Sequence, residues 1–129
     1  MDWFKAPDLH KEVAKIIATL KFSHIDPKRV FLFRSFGSRS RAQARIWGFP
    51  RIWQKALNAP SFYCLEVLAE KFDKLNHEEK KKILIHELLH IPKNFSGALL
   101  AHRRRGAIID RQRVEQLFKK LLRNVDSSR

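Results

Sequence analysis

Acidic residues are scarce in this chain. Thirteen Asp and Glu stand against 27 Lys and Arg, a formal net charge of +14. A surface so unbalanced repels its own copies and attracts polyanions, which points to DNA, RNA or a ribosome-like particle as a partner. Cysteine is nearly absent. With Cys64 alone no internal disulfide can form, which agrees with a reducing cytoplasmic compartment, and its apolar neighbours suggest a small buried side chain. Long apolar runs are missing too, so no segment reaches the roughly 20 residues of a membrane-crossing helix. The opening Met1-Asp2-Trp3-Phe4-Lys5 lacks the basic-then-apolar shape of a signal peptide. No repeat or low-complexity tract is visible.

What is present suffices for a core. Hydrophobic residues make up 44% of 129, with ten Phe and three Trp, a composition that folds. The length predicts one domain over 1–129 with a modest interior.

The most informative stretch is His86-Glu87-Leu88-Leu89-His90. On a helix, residues four apart differ by about 40° around the axis, so the two imidazoles project together, one turn apart. Such a pair can share a tetrahedral zinc, with Glu87 about 100° away as a base for an attacking water. Leu84, Leu88 and Ile91 recur on the opposite side and suit a core. Asn76 is a good N-cap with Glu79 three residues later, and Pro92 disfavours helical angles at Ile91. The spacing predicts a helix over 77–91.

Elsewhere, Val13, Ile16, Ile17 and Leu20 predict a helix over 8–20. Strands are expected over 29–36 and 62–69, and two short ones at Ile46-Trp47 and Ile52-Trp53 around Gly48-Phe49-Pro50. A turn-rich loop follows Pro92. Val114, Leu117, Phe118, Leu121 and Leu122 predict a final amphipathic helix over 110–122. The fold class expected is α+β: a small, mainly antiparallel sheet of about three strands with an N-terminal helix, the His-Glu-x-x-His helix and a C-terminal helix.

A catalytic zinc usually takes a third protein ligand. Candidates are His102, Asp110 and Glu115. His102 is favoured, because eleven residues separate it from His90 and turns at Pro92 and Gly97 can reverse the chain. Asp110 and Glu115 suit the last helix better, and His10, His24 and His77 lack a spacing partner. Tyr63 and the run Arg103-Arg104-Arg105 are candidate oxyanion donors.

With His-Glu-Leu-Leu-His-Ile-Pro, His102 downstream and a sheet segment before it, the chain resembles the minimal zincins. It is nearest the small metallopeptidases of archaea and phages and more distantly similar to SprT/Spartan-like proteases, most specifically over Phe62 to His102. The resemblance implies one zinc on His86, His90 and His102, Glu87 as catalytic acid/base, and hydrolysis of peptide bonds. Through its SprT branch it also implies action on or near nucleic-acid-bound proteins. A rival from another class is a nucleic-acid- or ribosome-associated binding protein, with structural zinc or vestigial catalysis. Arg34, Arg39, Arg41 and Arg45 before the motif, and Arg103, Arg104 and Arg105 after it, are candidate phosphate contacts, with Phe36 or Trp47 able to stack bases.

Overall fold

Four strands form the central sheet of a computed structural model that describes residues 1–104 and 107–127. They are β1 (Asp2–Lys5), β2 (Val30–Phe36), β3 (Ala44–Trp47) and β4 (Tyr63–Leu68), in spatial order β1-β2-β4-β3. The β1–β2 and β3–β4 pairs are antiparallel, whereas β2 and β4 run parallel with Val30 opposite Tyr63 and Ser35 opposite Leu68. The sheet is therefore mixed, with one strand more than expected. The extra strand, β1, has all four residues exposed, so it lacks the buried alternation that would mark it in sequence.

The remaining elements are α1 (Pro7–Thr19), α2 (Arg51–Leu57), α3 (Ala69–Phe72), α4 (His77–Leu88) and α5 (Arg111–Ser127), with a two-residue ribbon of β5 (Arg103–Arg104) and β6 (Ala107–Ile108) before α5. The architecture is α+β, as expected. Among the described residues no helix is long and apolar enough to cross a membrane.

Strand alternation divides the sheet into two unlike faces. Val30, Leu32, Ala44, Leu65 and Val67 join one core with Val13 and Ile16 of α1, Leu84, Ile85 and Leu88 of α4, and Val114, Leu117, Phe118 and Leu121 of α5. Burial of these apolar side chains is the main favourable term in folding. Leu122 remains exposed, so the final helix turns a narrower stripe inward than its sequence suggested.

On the other face Trp3, Phe31 and Trp47 are exposed, and Cys64 is half-buried rather than fully enclosed. In its middle sits Glu66, 1% exposed. Arg45 donates to both Glu66 carboxylate oxygens, at 2.9 and 3.2 Å, and Trp47 Nε1 donates to Oε1 at 2.9 Å. The guanidinium also lies 5.3 Å from the centre of the Trp47 ring, a cation–π contact. Burial alone would raise the Glu66 carboxyl. Hydrogen bonds and the Arg45 charge outweigh it and hold Glu66 at about 2.

One expected strand is a helix. Residues Arg51–Leu57 form α2, which begins just after Pro50 and ends on Asn58 in the left-handed conformation (φ 50°). Pro50 has φ of −55°, compatible with helix entry. Gln54-Lys55-Ala56-Leu57 then favour helix, and Asn tolerates the left-handed exit. The apolar pair Ile52-Trp53 imitated a strand, but no residue of α2 is buried.

The Arg45–Glu66 pair generates a prediction. Arg45→Met should destabilise the fold at neutral pH by about 3 kcal/mol, since it strands a buried carboxylate. The sign with pH follows from the depressed carboxyl. In the parent, the Glu66 contribution is complete above about pH 5 and is lost as pH falls toward 2. The gap between parent and variant, measured by urea unfolding, should narrow from pH 5 downward.

Candidate metal centre

The helix carrying the motif is fixed at its start. Asn76 Oδ1 accepts the Glu79 backbone N–H at 2.8 Å, and Glu78 and Glu79 occupy the positive first turn. Leu84, Leu88 and Ile91 are all buried, as their spacing suggested, and Ile85 joins them. The α-helix itself ends at Leu88 rather than 91. Winding continues through tighter bonds, His90 N–H to Glu87 O and Ile91 N–H to Leu88 O, both 3.1 Å. Pro92 accounts for this, by pushing the preceding residue out of helical angles.

The chain then reverses. Leu100 N–H donates to His90 O at 2.8 Å, and His90 Nδ1 lies 2.5 Å from Leu100 O. A carbonyl only accepts, so Nδ1 carries the proton and Nε2 keeps its lone pair. This reciprocal staple sets His102 against the helix. The His86 and His102 Nε2 atoms are 3.1 Å apart, and ring centres are separated by 5.2 Å (His86–His90), 5.1 Å (His86–His102) and 4.5 Å (His90–His102). One nitrogen from each of the three imidazoles lies within 4.8 Å of the others.

This donor set fits one metal ion. Bonds of about 2.0–2.1 Å at a tetrahedral angle place two nitrogens roughly 3.3 Å apart, close to the His86–His102 spacing. Burial, and the charges of its two companions, push His86 below the ordinary histidine range. Burial and His102 do the same for His90. Neutral imidazole is the ligating form. Burial also pushes the Glu87 carboxyl up to about 7. A cavity of about 640 Å³ opens beside His86 and Glu87, between the start of β3, α4 and α5, with Ile83 and Val114 among its apolar lining and Glu79, Lys82 and Glu115 among its charged lining.

The alternatives for a third ligand are engaged elsewhere. Asp110 Oδ1 accepts the Arg113 N–H at 2.9 Å at the start of α5, and Glu115 pairs with Lys82 at 2.5 Å. Tyr63 is no oxyanion donor. It is 1% exposed, accepts from Gly97 N–H and donates to Ala98 O, each at 2.8 Å. Its hydroxyl holds the loop after Pro92 in place.

That loop carries positioning residues that the sequence did not reveal. Gln54 Nε2 donates to Phe49 O and Ser96 O, both 2.8 Å, Ser61 Oγ donates to Phe95 O at 2.5 Å, and Phe49 N–H donates to Gly97 O at 2.8 Å. Two glycines permit this approach. A Cβ on Gly48 would meet Gly97 O at 2.4 Å, and one on Gly97 would meet Phe49 O at 2.2 Å. The turn signals at Gly48-Phe49-Pro50 and Gly97 were visible separately; nothing in the sequence said that they touch.

The candidate phosphate contacts separate into groups. Arg34 is held between Asp8 (2.7 and 2.9 Å) and Asp73 (3.1 and 3.2 Å), and Arg45 by Glu66. Both are thus committed to internal carboxylates. Arg39 and Arg41 are exposed and make no ion pair among the described residues. Arg103 and Arg104 form β5, and Arg105 lies outside the described residues.

A family model described as putative phage metallopeptidase matches residues 1–123. The chain belongs to this family. No curated protein and no solved structure gives a significant match. The family description and the three-histidine group that can hold a metal agree on a metallopeptidase.

Gly97 gives the test of the loop. It sits at φ 96°, where a side chain costs about 1–3 kcal/mol even in open space, and here the added carbon also meets a carbonyl. Gly97→Ala should lower the Tm by several degrees in a thermal melt, more than Ala98→Ser at the exposed neighbouring position.

Proposed function

We propose that this family member is a zinc-dependent peptidase in which His86, His90 and His102 hold one Zn²⁺ and Glu87 is the general acid/base. The convergence of three imidazoles one residue from a half-buried carboxyl carries this reading. A structural zinc site closes with four protein ligands. Among the described residues no fourth side chain joins the three, which favours a site with an open position.

The chemistry such an ion supplies is Lewis acidity, which eases deprotonation of water and polarises the scissile carbonyl. Glu87 takes the proton of the attacking water and delivers it to the leaving amine nitrogen, a transfer that needs reach of about 3 Å. His90 is kept in one tautomer by Leu100 O, the kind of outer contact that orients a ligand. The cavity beside His86 and Glu87 receives a protein segment, and the net charge of +14 favours substrates seated on polyanions.

Elemental analysis of the purified protein should find about one zinc per chain, and His102→Ala should weaken retention at least tenfold against a chelator. Undiminished retention would exclude His102 as a ligand. Glu87→Gln preserves shape and removes the base. Zinc content and Tm should stay near the parent's, while cleavage of a denatured protein substrate falls by about 10²-fold or more. Unchanged cleavage would rule out the assigned role.

A further inference from the structure

The open face of the sheet combines two features that soluble surfaces usually avoid together. Trp3 is 52% exposed, Phe31 40% and Trp47 49%. Strand register puts all three on this face: Trp3 pairs with Ser35, and Phe31 and Trp47 both pair with Cys64, across β2, β4 and β3. The half-buried Phe62 packs on Phe31 with ring centres 5.6 Å apart, and Phe49 packs on Phe62 at 6.2 Å. Exposed aromatic rings gathered on one face of a sheet mark a binding surface.

The segment that builds most of this face is one-sided in charge. Residues 27–60, which supply β2, β3, the loop between them and α2, hold eight Lys and Arg and no Asp or Glu. Arg34 and Arg45 are neutralised by carboxylates from other segments. Arg39 and Arg41 in the loop, and Arg51 and Lys55 in α2, are exposed and make no ion pair among the described residues. The loop leaves β2 at one end of the sheet, and α2 leaves β3 at the other. Cationic side chains therefore bracket the rings at both ends.

We propose that this face binds single-stranded nucleic acid, with bases stacked on Trp3, Phe31 and Trp47 and phosphates met by the Arg39/Arg41 loop and by α2. Unpaired bases offer a π-face to an aromatic ring, whereas a duplex hides them. Trp47 is braced for this role by its bond to Glu66 and its contact with Arg45. A second copy of the chain suits the face poorly, because each copy carries +14. The proposal places binding on the sheet, away from the histidine cluster, and does not depend on the peptidase reading.

Fluorescence anisotropy with labelled 15-nucleotide oligo(dT) and oligo(U), and a duplex of equal length, tests it on the whole protein. Both single strands should bind more tightly than the duplex at equal salt, with quenching of tryptophan emission. The dT and U arms distinguish a DNA ligand from an RNA ligand. Trp3→Ala and Phe31→Ser should each weaken binding about tenfold, Trp3→Phe should restore most of it, and Arg39→Ser with Arg41→Ser should flatten the salt dependence. Circular dichroism melts show that the variants fold. Equal affinity for duplex and single strand without quenching, or parental affinity in Trp3→Ala and Phe31→Ser, would overturn the proposal. So would a doubling of mass that Trp3→Ala abolishes, which would make the face a self-association surface.

Discussion

The reversal of the chain between His90 and Leu100 is the constraint on which the site depends. Two backbone-directed bonds join these residues, and His102 follows two positions later. Each such bond contributes only about 1 kcal/mol net, too little to order an eleven-residue excursion alone. The loop is therefore anchored from outside. Tyr63 reaches it from the core, Gln54 from α2 and Ser61 from the approach to β4, while Gly48 and Gly97 let two backbones meet. A short, otherwise unburied helix thus has a structural purpose: α2 presents Gln54 to the loop.

Charge is allocated as economically as apolar surface. Few carboxylates are available, and several of them fasten arginines across elements: Asp8 and Asp73 to Arg34, and Glu66 to Arg45. Arg34 thereby links α1, β2 and the turn after α3. The pairing of Glu66 with Arg45 keeps a buried carboxylate tolerable on the sheet's aromatic face. Of the cations left over, Arg39, Arg41, Arg51 and Lys55 are exposed at the two ends of the open face. The cavity beside His86 and Glu87 meets β3 at Ala44, and the same strand carries Trp47 on the open face.

Much of the fold and of the site was legible because it follows from local periodicity. The spacing of His86 and His90, the Asn76 cap, the buried Leu84, Leu88 and Ile91, and the apolar stripes of α1 and α5 all depend on residues a few positions apart, where helix geometry dictates which side chains share a face. The sequence by itself determined the class, the motif helix and two of the three clustered imidazoles. It also favoured His102 over Asp110 and Glu115, since the place of Asp110 at the start of the last helix and of Glu115 within it was readable.

Only tertiary structure decided the rest. The parallel pairing of β2 with β4 depends on contacts between residues 33 positions apart, such as Val30 and Tyr63, which no local pattern encodes. Ile52-Trp53 resembled a strand because exposed apolar residues mimic buried ones in composition. Arg34 and Arg45 looked like free cations, since ion pairs with Asp8, Asp73 and Glu66 form across 21 to 39 residues of chain. Tyr63 looked available for catalysis, yet the loop brought to it by the Gly48–Gly97 contact takes up its hydroxyl. For the strand pairing, the two arginines and Tyr63, the deciding partner is distant in sequence, and the side chain's surroundings, rather than its type, set what it does.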